Sequence, residues 1–364
     1  MRKNKEILFI LPNLRTGGAQ KTFIRLANIF FANKNKIEIL VIGSPSDLKD
    51  EINSEIKCTF FRKKKITHSF FQLIFFLVRR KPYAIVTCLN YLNIFVIISS
   101  KIASPKSKVF ISERGVFSKE LKKSKLYNFF FKKIASITYR FANSVIAVSH
   151  GVAKDLSETL KLPLNDIEVI YNPSFSNKLI KQSKSKINIK YKKVFEKPTI
   201  VSVGRLEDVK GYDILIKSFA KVSRQINCSL IIIGEGSQRK NLVNLIERLG
   251  LNDLVYLPGI ISNPYPYIRE ANVYVLSSRH EGLPNVLIEA MAIGTPLIAT
   301  DCIGSQEIIG ENEWGYLIDK DNPDEMAKTI IKVLKNNEII DPKPRSYIFH
   351  EKVIFEKYNN LIFK

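Results

Sequence analysis

Two glutamates, Glu281 and Glu289, stand eight positions apart in SRHEGLPNVLIEAMAIGTPLIAT (residues 278–300), a stretch otherwise poor in charge. Glu281 precedes a Gly-Leu-Pro-Asn turn. Glu289 falls inside an apolar run, Val286, Leu287, Ile288 and Ala290, that reads as a helix against a core. A carboxylate is costly to bury without a partner, so the residue type at 289 asks for something to hold. Carboxylates accept hydrogen bonds, and one carboxylate can grip both hydroxyls of a vicinal diol. Gly282 and the turn at Pro284 would open the backbone N–H groups at the start of that helix, where anions are favoured. A plainer alternative makes Glu281 a helix N-terminal charge favoured by the dipole and Glu289 an exposed helix residue, although the neighbours of Glu289 argue against the latter.

A second loop carries cations. In VSVGRLEDVKGYDILIKSFA (201–220), Gly204 ends a strand and GYDILIKSFA reads as the next helix, with Arg205 and Lys210 between them. A planar guanidinium beside a point charge suits a diphosphate; the two could equally pair with the adjacent Glu207 and Asp208. The early loop LPNLRTGGAQKTF offers Gly17 and Gly18, where the backbone can approach a ligand ahead of a helix. It matches neither a Walker A sequence nor a GxGxxG fingerprint, and a plain turn is the alternative. Phosphate-binding amides, nearby cations and two diol-binding carboxylates together describe a sugar nucleotide.

Short apolar runs alternating with helical patterns must position these loops. EILFIL (6–11), IEILVIG (37–43), AIVTCL (84–89), KVFIS (108–112) and SVIAVS (144–149) read as strands of one half. TIVSVG (199–204), SLIIIG (229–234), LVYLPG (254–259), VYVLSS (273–278) and PLIAT (296–300) repeat the scheme in the other. Near-continuous Val/Ile/Leu strands separated by helices mark parallel sheets covered on both faces. After the Asn172-Pro173 turn, NKLIKQSKSKINIKYKK (177–193) is rich in Lys and Ser and reads as a linker. The expectation is an α/β protein of two doubly wound parallel-sheet, Rossmann-like domains facing a cleft: residues 1–176 and 194–344, with a C-terminal helix over about 345–364 packing back on the first.

The bulk numbers set limits on partners. The chain has 364 residues with 45% hydrophobic and 25% charged content, which is the balance of a globular protein. Its net charge of +23 is confined to one half: residues 1–190 hold 35 basic and 12 acidic residues, while 191–364 hold 22 of each. That asymmetry points to a polyanionic partner, nucleic acid or an anionic membrane face, with a lysine-rich coding bias as the bland alternative. Cys58, Cys88, Cys228 and Cys302 are widely spaced, form no CxxC pair and read as reduced core residues. The N-terminus lacks the length and cleavage site of a signal peptide, and FFQLIFFLV (70–78) is half the length of a membrane span. Two stretches, FRKKKITHSFFQLIFFLVRRK (61–81) and KELKKSKLYNFFFKKIASITYR (119–140), mix cations with Phe, Leu and Ile at near-helical spacing. Such stretches can lie in a membrane interface; alternatively their apolar residues face the core and their lysines are solvated.

The motifs GGAQ, GRLEDVKG, EGLPNVLIEAMAIGTPLIATD and TDCIGSQEII (300–309) resemble the retaining glycosyltransferases of family 4, which have the GT-B fold. The match is specific over 199–310 and looser before 180, and it is similar to bacterial enzymes adding hexose or N-acetylhexosamine units to lipid-linked or surface glycans such as capsule or O-antigen. The resemblance implies a hexosyltransferase that uses a nucleotide sugar, UDP-linked by analogy, without a metal or other cofactor. Arg205 and Lys210 would bind the donor diphosphate, Glu289 the ribose hydroxyls, and Glu281 the sugar hydroxyls near the anomeric carbon. The backbone of Gly282, Leu283, Pro284, Asn285 and Val286, with Gly204 and Gly259 at strand ends, would complete the donor site. Gly17, Gly18, Glu113, Arg114 and His150 are candidates on the acceptor side. The chain departs from the family in Gln20, where relatives often carry an acid, and in SERGVF, where some place a histidine. The resemblance also implies a glycan or lipid-linked acceptor, and hence a protein peripheral to the inner face of the cell membrane. An epimerase of GT-B architecture shares the domain plan but lacks the Glu281/Glu289 pattern. A nucleic-acid-binding protein would need a module of the kind known for that task, and none is recognisable.

Overall fold

The computed structural model describes residues 5–364 except 16, 64–65, 122–123 and 336–338. The chain divides into two compact units, Met1–Pro173 with Glu351–Lys364, and Ser174–His350.

The first unit is built on a seven-stranded sheet of β1 (Glu6–Leu11), β2 (Lys36–Val41), β3 (Lys57–Phe60), β4 (Ala84–Cys88), β5 (Lys108–Glu113), β6 (Ser144–Ala147) and β7 (Ile167–Val169), in the order 3-2-1-4-5-6-7. Every pairing is parallel. Helices α1 (Gly18–Ala32), α2 (Phe70–Arg80), α3 (Asn90–Ala103), α4 (Lys125–Tyr139) and α5 (His150–Leu160) make connections. The central strands are mostly apolar because helices cover both faces, leaving little solvent-facing side to carry polar residues. Phe9 of β1 packs against Phe23 and Phe30 of α1, with ring centroids 6.1 Å apart in each case. The C-terminal helix Glu351–Phe363 closes this core with Ile354, Tyr358 and Ile362, and its Phe355 ring lies 4.9 Å from Phe30.

The second unit repeats the plan with β8 (Thr199–Val203), β9 (Ser229–Ile233), β10 (Val255–Gly259), β11 (Val273–Leu276), β12 (Leu297–Thr300) and β13 (Tyr316–Ile318), ordered 10-9-8-11-12-13. Its helices include α6 (Asn177–Ser183), α7 (Ile189–Lys192), α8 (Tyr212–Val222), α9 (Arg239–Arg248), α10 (Tyr265–Glu270), α11 (Asn285–Ile293), α12 (Ile303–Ile309), α13 (Pro323–Leu334) and α14 (Lys343–Ser346). The strand order reverses between β8 and β11, and the loops after those two strands carry the cations and Glu281. Such a reversal is where ligands bind in open α/β sheets.

The expected boundaries differ from those observed. The first crossing falls at 173/174, ahead of 176, and the second at 350/351, beyond 344. The stretch 177–193, expected as a linker, forms α6 and α7 and belongs to the second unit. Its lysines conceal a buried side: Leu179 is 2% exposed, Asn263 donates to the Gln182 carbonyl at 3.0 Å, and the Asn188 N–H donates to Tyr267 at 3.3 Å. All four cysteines are free. Among the described residues no helix is long and apolar enough to cross a membrane.

Candidate active site

Strand β8 ends at Val203 because Gly204 and the polar run after it leave the sheet. A short 3-10 turn, Asp208–Lys210, follows, and Gly211 starts α8 with φ +63°. A β-carbon on Gly211 would stand 2.1 Å from the Ser277 carbonyl oxygen, so glycine is required there on both counts. That close approach brings the loop after β11 onto the loop after β8. Ser277 Oγ donates to the Lys210 carbonyl and the Arg279 N–H to the Val209 carbonyl, both at 2.8 Å.

The result is a contact between residues 71 apart in sequence. Lys210 Nζ reaches Glu281 Oε1 at 2.5 Å, with side chains only 19% and 15% exposed. Ser278 Oγ donates to the same carboxylate oxygen at 2.8 Å. Among the described residues Oε2 of Glu281 accepts no hydrogen bond, and the ammonium of Lys210 has three N–H donors. The pair can therefore hold itself together and still offer an acceptor and donors outward. Local pairing of Arg205 and Lys210 with Glu207 and Asp208 is not what the structure shows. Glu207 accepts from the Ser237 N–H and hydroxyl at 3.3 and 2.7 Å, which holds its carboxyl below the usual range. Asp208 pairs with Arg279. The Arg205 side chain is exposed and in no hydrogen bond or ion pair among the described residues.

Glu289 sits in the second turn of α11, 9% exposed, and accepts from the Tyr265 hydroxyl at 3.4 Å. Because α11 begins only at Asn285, Glu281 lies in the loop and the two glutamates do not share a helix face. Leu283 is 6% exposed, and Ser174 Oγ donates to Asn285 Oδ1 at 2.8 Å. Asn285 and Val286 open α11 at the positive end of its dipole, and the Leu287 N–H donates to the Pro284 carbonyl at 3.1 Å. The Gly304 N–H donates to the Glu281 carbonyl at 3.1 Å, so the start of α12 braces this loop from behind. Gly204 and Gly259 stand at neighbouring strand ends: the Gly204 N–H donates to Ile233 and the Gly259 carbonyl accepts from Gly234. Buried Tyr212 lies below Gly204, its hydroxyl pushed well above its usual pKa by burial.

Sequence reading missed Arg279. Its guanidinium takes Asp213 through two contacts of 3.0 Å, Asp321 at 3.0 Å and the Asp208 carbonyl, fastening the Glu281 loop to the Lys210 loop. Its place next to the turn was visible, but its carboxylate partners lie 42 to 71 residues away.

The acceptor-side candidates fare differently, all within the first unit. Gly17 caps α1 in extended backbone, Gly18 begins that helix, and Gln20 donates to Asn13 Oδ1 at 3.4 Å. His150 is the exposed first residue of α5. Glu113 and Arg114, candidates on the acceptor side, have internal partners. Glu113 is 1% exposed, accepts from Asn93 at 2.8 Å and from the Tyr139 hydroxyl, and burial pushes its carboxyl up to about 8. Arg114 donates to Asn172 and to the Tyr358 hydroxyl (3.1 Å) and lies over the Phe23 ring at 4.7 Å, tying the C-terminal helix to the sheet. Among the described residues no group of three or more His, Cys, Asp or Glu could hold a metal ion.

Two family models match the chain: Glycosyltransferase Family 4 over residues 16–173 and Glycosyl transferases group 1 over residues 183–348. An uncharacterized glycosyltransferase of Methanocaldococcus jannaschii is 34% identical over 174 residues, covering 47% of this chain and 43% of that protein. The N-acetylgalactosamine-N,N'-diacetylbacillosaminyl-diphospho-undecaprenol 4-alpha-N-acetylgalactosaminyltransferase of Campylobacter jejuni is 27% identical over 67% of this chain and 65% of its own length. The chain spans about half the length of the curated relatives it matches. Among solved structures, Anabaena HepE in complex with UDP superposes with a TM-score of 0.83 at 19% identity, covering 98% of this chain and 99% of that one. With two parallel-sheet units, and the two family models together matching residues 16–173 and 183–348, the chain belongs to the family 4 and group 1 glycosyltransferases of GT-B fold.

Proposed function

We propose that this protein is a retaining glycosyltransferase that moves a hexose or N-acetylhexosamine from a nucleotide sugar to a lipid-linked or surface-glycan acceptor. The Lys210–Glu281 pair at the sheet's reversal carries this reading, because it sets a phosphate-binding cation against a hydroxyl-binding carboxylate at 2.5 Å. In the proposed complex Arg205 and the remaining donors of Lys210 take the diphosphate, joined by the amides at the start of α11. Oε2 of Glu281 accepts from the donor sugar, and Glu289, which also accepts from Tyr265, from the ribose. Charge builds on the diphosphate as its bond to the anomeric carbon breaks, and donors already in position stabilise it without reorganisation. The acceptor hydroxyl oxygen then attacks the anomeric carbon from the face the nucleoside diphosphate leaves and passes its proton to the departing phosphate oxygen, which retains the configuration. No metal or other cofactor enters this scheme. UDP is the proposed carrier, supported by the UDP in the Anabaena structure. A lipid-linked acceptor at the cytoplasmic membrane face is supported by the diphospho-undecaprenol in the name of the Campylobacter relative.

The test is a thermal-shift series with UDP, GDP and ADP and their sugar conjugates, since a ligand that binds only the folded state raises the midpoint by mass action. UDP conjugates are expected to raise it, and Glu289→Gln and Arg205→Ala to shrink the shift at an unchanged ligand-free midpoint. A full shift in both variants would refute the site.

A further inference from the structure

Helices α2, α3 and α4 lie side by side on one face of the first unit's sheet, with α3 in the middle. Phe70 of α2 meets Phe95 of α3 at 5.9 Å, and the Tyr127 hydroxyl of α4 donates to that of Tyr91 at 2.8 Å. The inner side of α4 is ordinary core: Phe131, Ala135 and Tyr139 are buried. Its outer side is apolar too. Leu126, Phe129, Phe130, Ile134 and Ile137 are spaced as one helical stripe, and they are between 47% and 69% exposed. On α2 the outer side repeats this with Phe71 at 82% and Phe75 at 56%. The alternative of core-facing apolar residues holds for Leu73, Leu77 and Phe131 but not for this outer set. Scattered apolar side chains in water need no explanation, but exposed apolar strips on the two helices that flank α3 mark an interaction surface.

What the strip is built for follows from its flanks. Residues 119–140 hold seven basic residues and one acidic, and residues 61–81 hold seven basic and none acidic. Lys122, Lys123, Lys64 and Lys65 of these runs lie outside the described residues. Exposed Lys125, Lys133 and Arg140 border the stripe on α4, and the Arg79 guanidinium lies 4.0 Å over the Phe75 ring on α2. A second copy docked on this face would set lysine against lysine, and a wholly apolar partner would strand the cations. A leaflet with anionic headgroups above acyl chains satisfies both features at the depth each needs.

We infer that the outer faces of α2 and α4 are the surface by which this protein sits on an anionic lipid leaflet, with Phe71, Phe75, Phe129 and Phe130 entering the acyl boundary. This surface rests on the membrane part of the function proposed above and on none of its chemistry. The experiment is vesicle flotation of the full chain on phosphatidylcholine alone and on phosphatidylcholine with phosphatidylglycerol, at low and high salt. Binding is expected only with phosphatidylglycerol, and salt should weaken it. Lys125→Glu/Lys133→Glu and Phe129→Ser/Phe130→Ser should each lower the affinity by about tenfold or more, with thermal midpoints no lower than the parent's. Equal binding to both vesicle types, binding that survives both variants, or no binding to either would overturn the inference. So would a dimer in sedimentation that Phe129→Ser/Phe130→Ser dissolves. Flotation without sugar transfer would leave this surface standing and remove the proposed chemistry; transfer without flotation would do the reverse.

Discussion

Glu113 is a carboxyl in the core, and its burial makes a quantitative prediction. Its pKa rises from an ordinary 4.5 to about 8, with burial as the largest cause, neighbouring Glu120 adding to it, and the Tyr139 and Asn93 hydrogen bonds and Arg114 opposing it. The folded state therefore holds this proton where the unfolded chain has released it. Stability contributed by the group is fully present below about 4.5, falls as pH rises, and is lost by the time pH passes about 8. The gap is worth ~5 kcal/mol at about 1.4 kcal/mol per unit. Glu113→Gln keeps an amide oxygen to accept from Tyr139 and Asn93 but has no proton to lose. Urea unfolding of parent and variant across pH should give similar stabilities in mild acid and a variant more stable by several kcal/mol at about pH 9. Taking the difference between the two proteins cancels the titration of distant groups. A difference that stays flat with pH would refute the buried, raised carboxyl and return Glu113 to the candidates for ligand contact.

Lys210→Met should leave Glu281 held by Ser278 alone, costing about 1–2 kcal/mol of stability, and the double variant with Glu281→Gln should recover part of it; additive unfolding energies would contradict the pairing. Gly211→Ala should destabilise the fold by about 1–3 kcal/mol through its positive φ and the Ser277 carbonyl, and should lower sugar transfer further by forcing the two loops apart. An alanine variant that transfers sugar at the parent rate would show that the approach of these loops is not needed.

Central strands were legible because they are continuous runs of Val, Ile and Leu. Three strands were not: β3, β7 and β13. Each is three or four residues long and stands at the edge of its sheet, and their exposed or half-exposed positions dilute the apolar signal. The short polar loop after β8 and the turn before α11 were readable as cation and carboxylate carriers. That Lys210 would choose Glu281 over Asp208 was not readable, because the choice is made by the parallel pairing of β8 with β11. Glu113 and Arg114 stood out only as the place, in SERGVF, where some relatives carry a histidine. Their partners, Asn93, Tyr139, Asn172 and Tyr358, come from four different elements, and no local pattern announces them.

The split of the first unit into Met1–Pro173 and Glu351–Lys364 orders events on the ribosome. Domains usually fold in the order they are made, but here the flank of α1 stays uncovered until the whole second unit has been synthesised. Phe30 and the sheet beside it wait for Tyr358, Phe355 and Ile362, and Arg114 waits for half of its clamp. The second unit is thus the first that can finish, and until Glu351–Phe363 has been made the first unit carries an apolar groove shaped for that helix. A nascent chain of this kind has its most aggregation-prone interval between the synthesis of Pro173 and that of Glu351–Phe363, and chaperone demand should peak there.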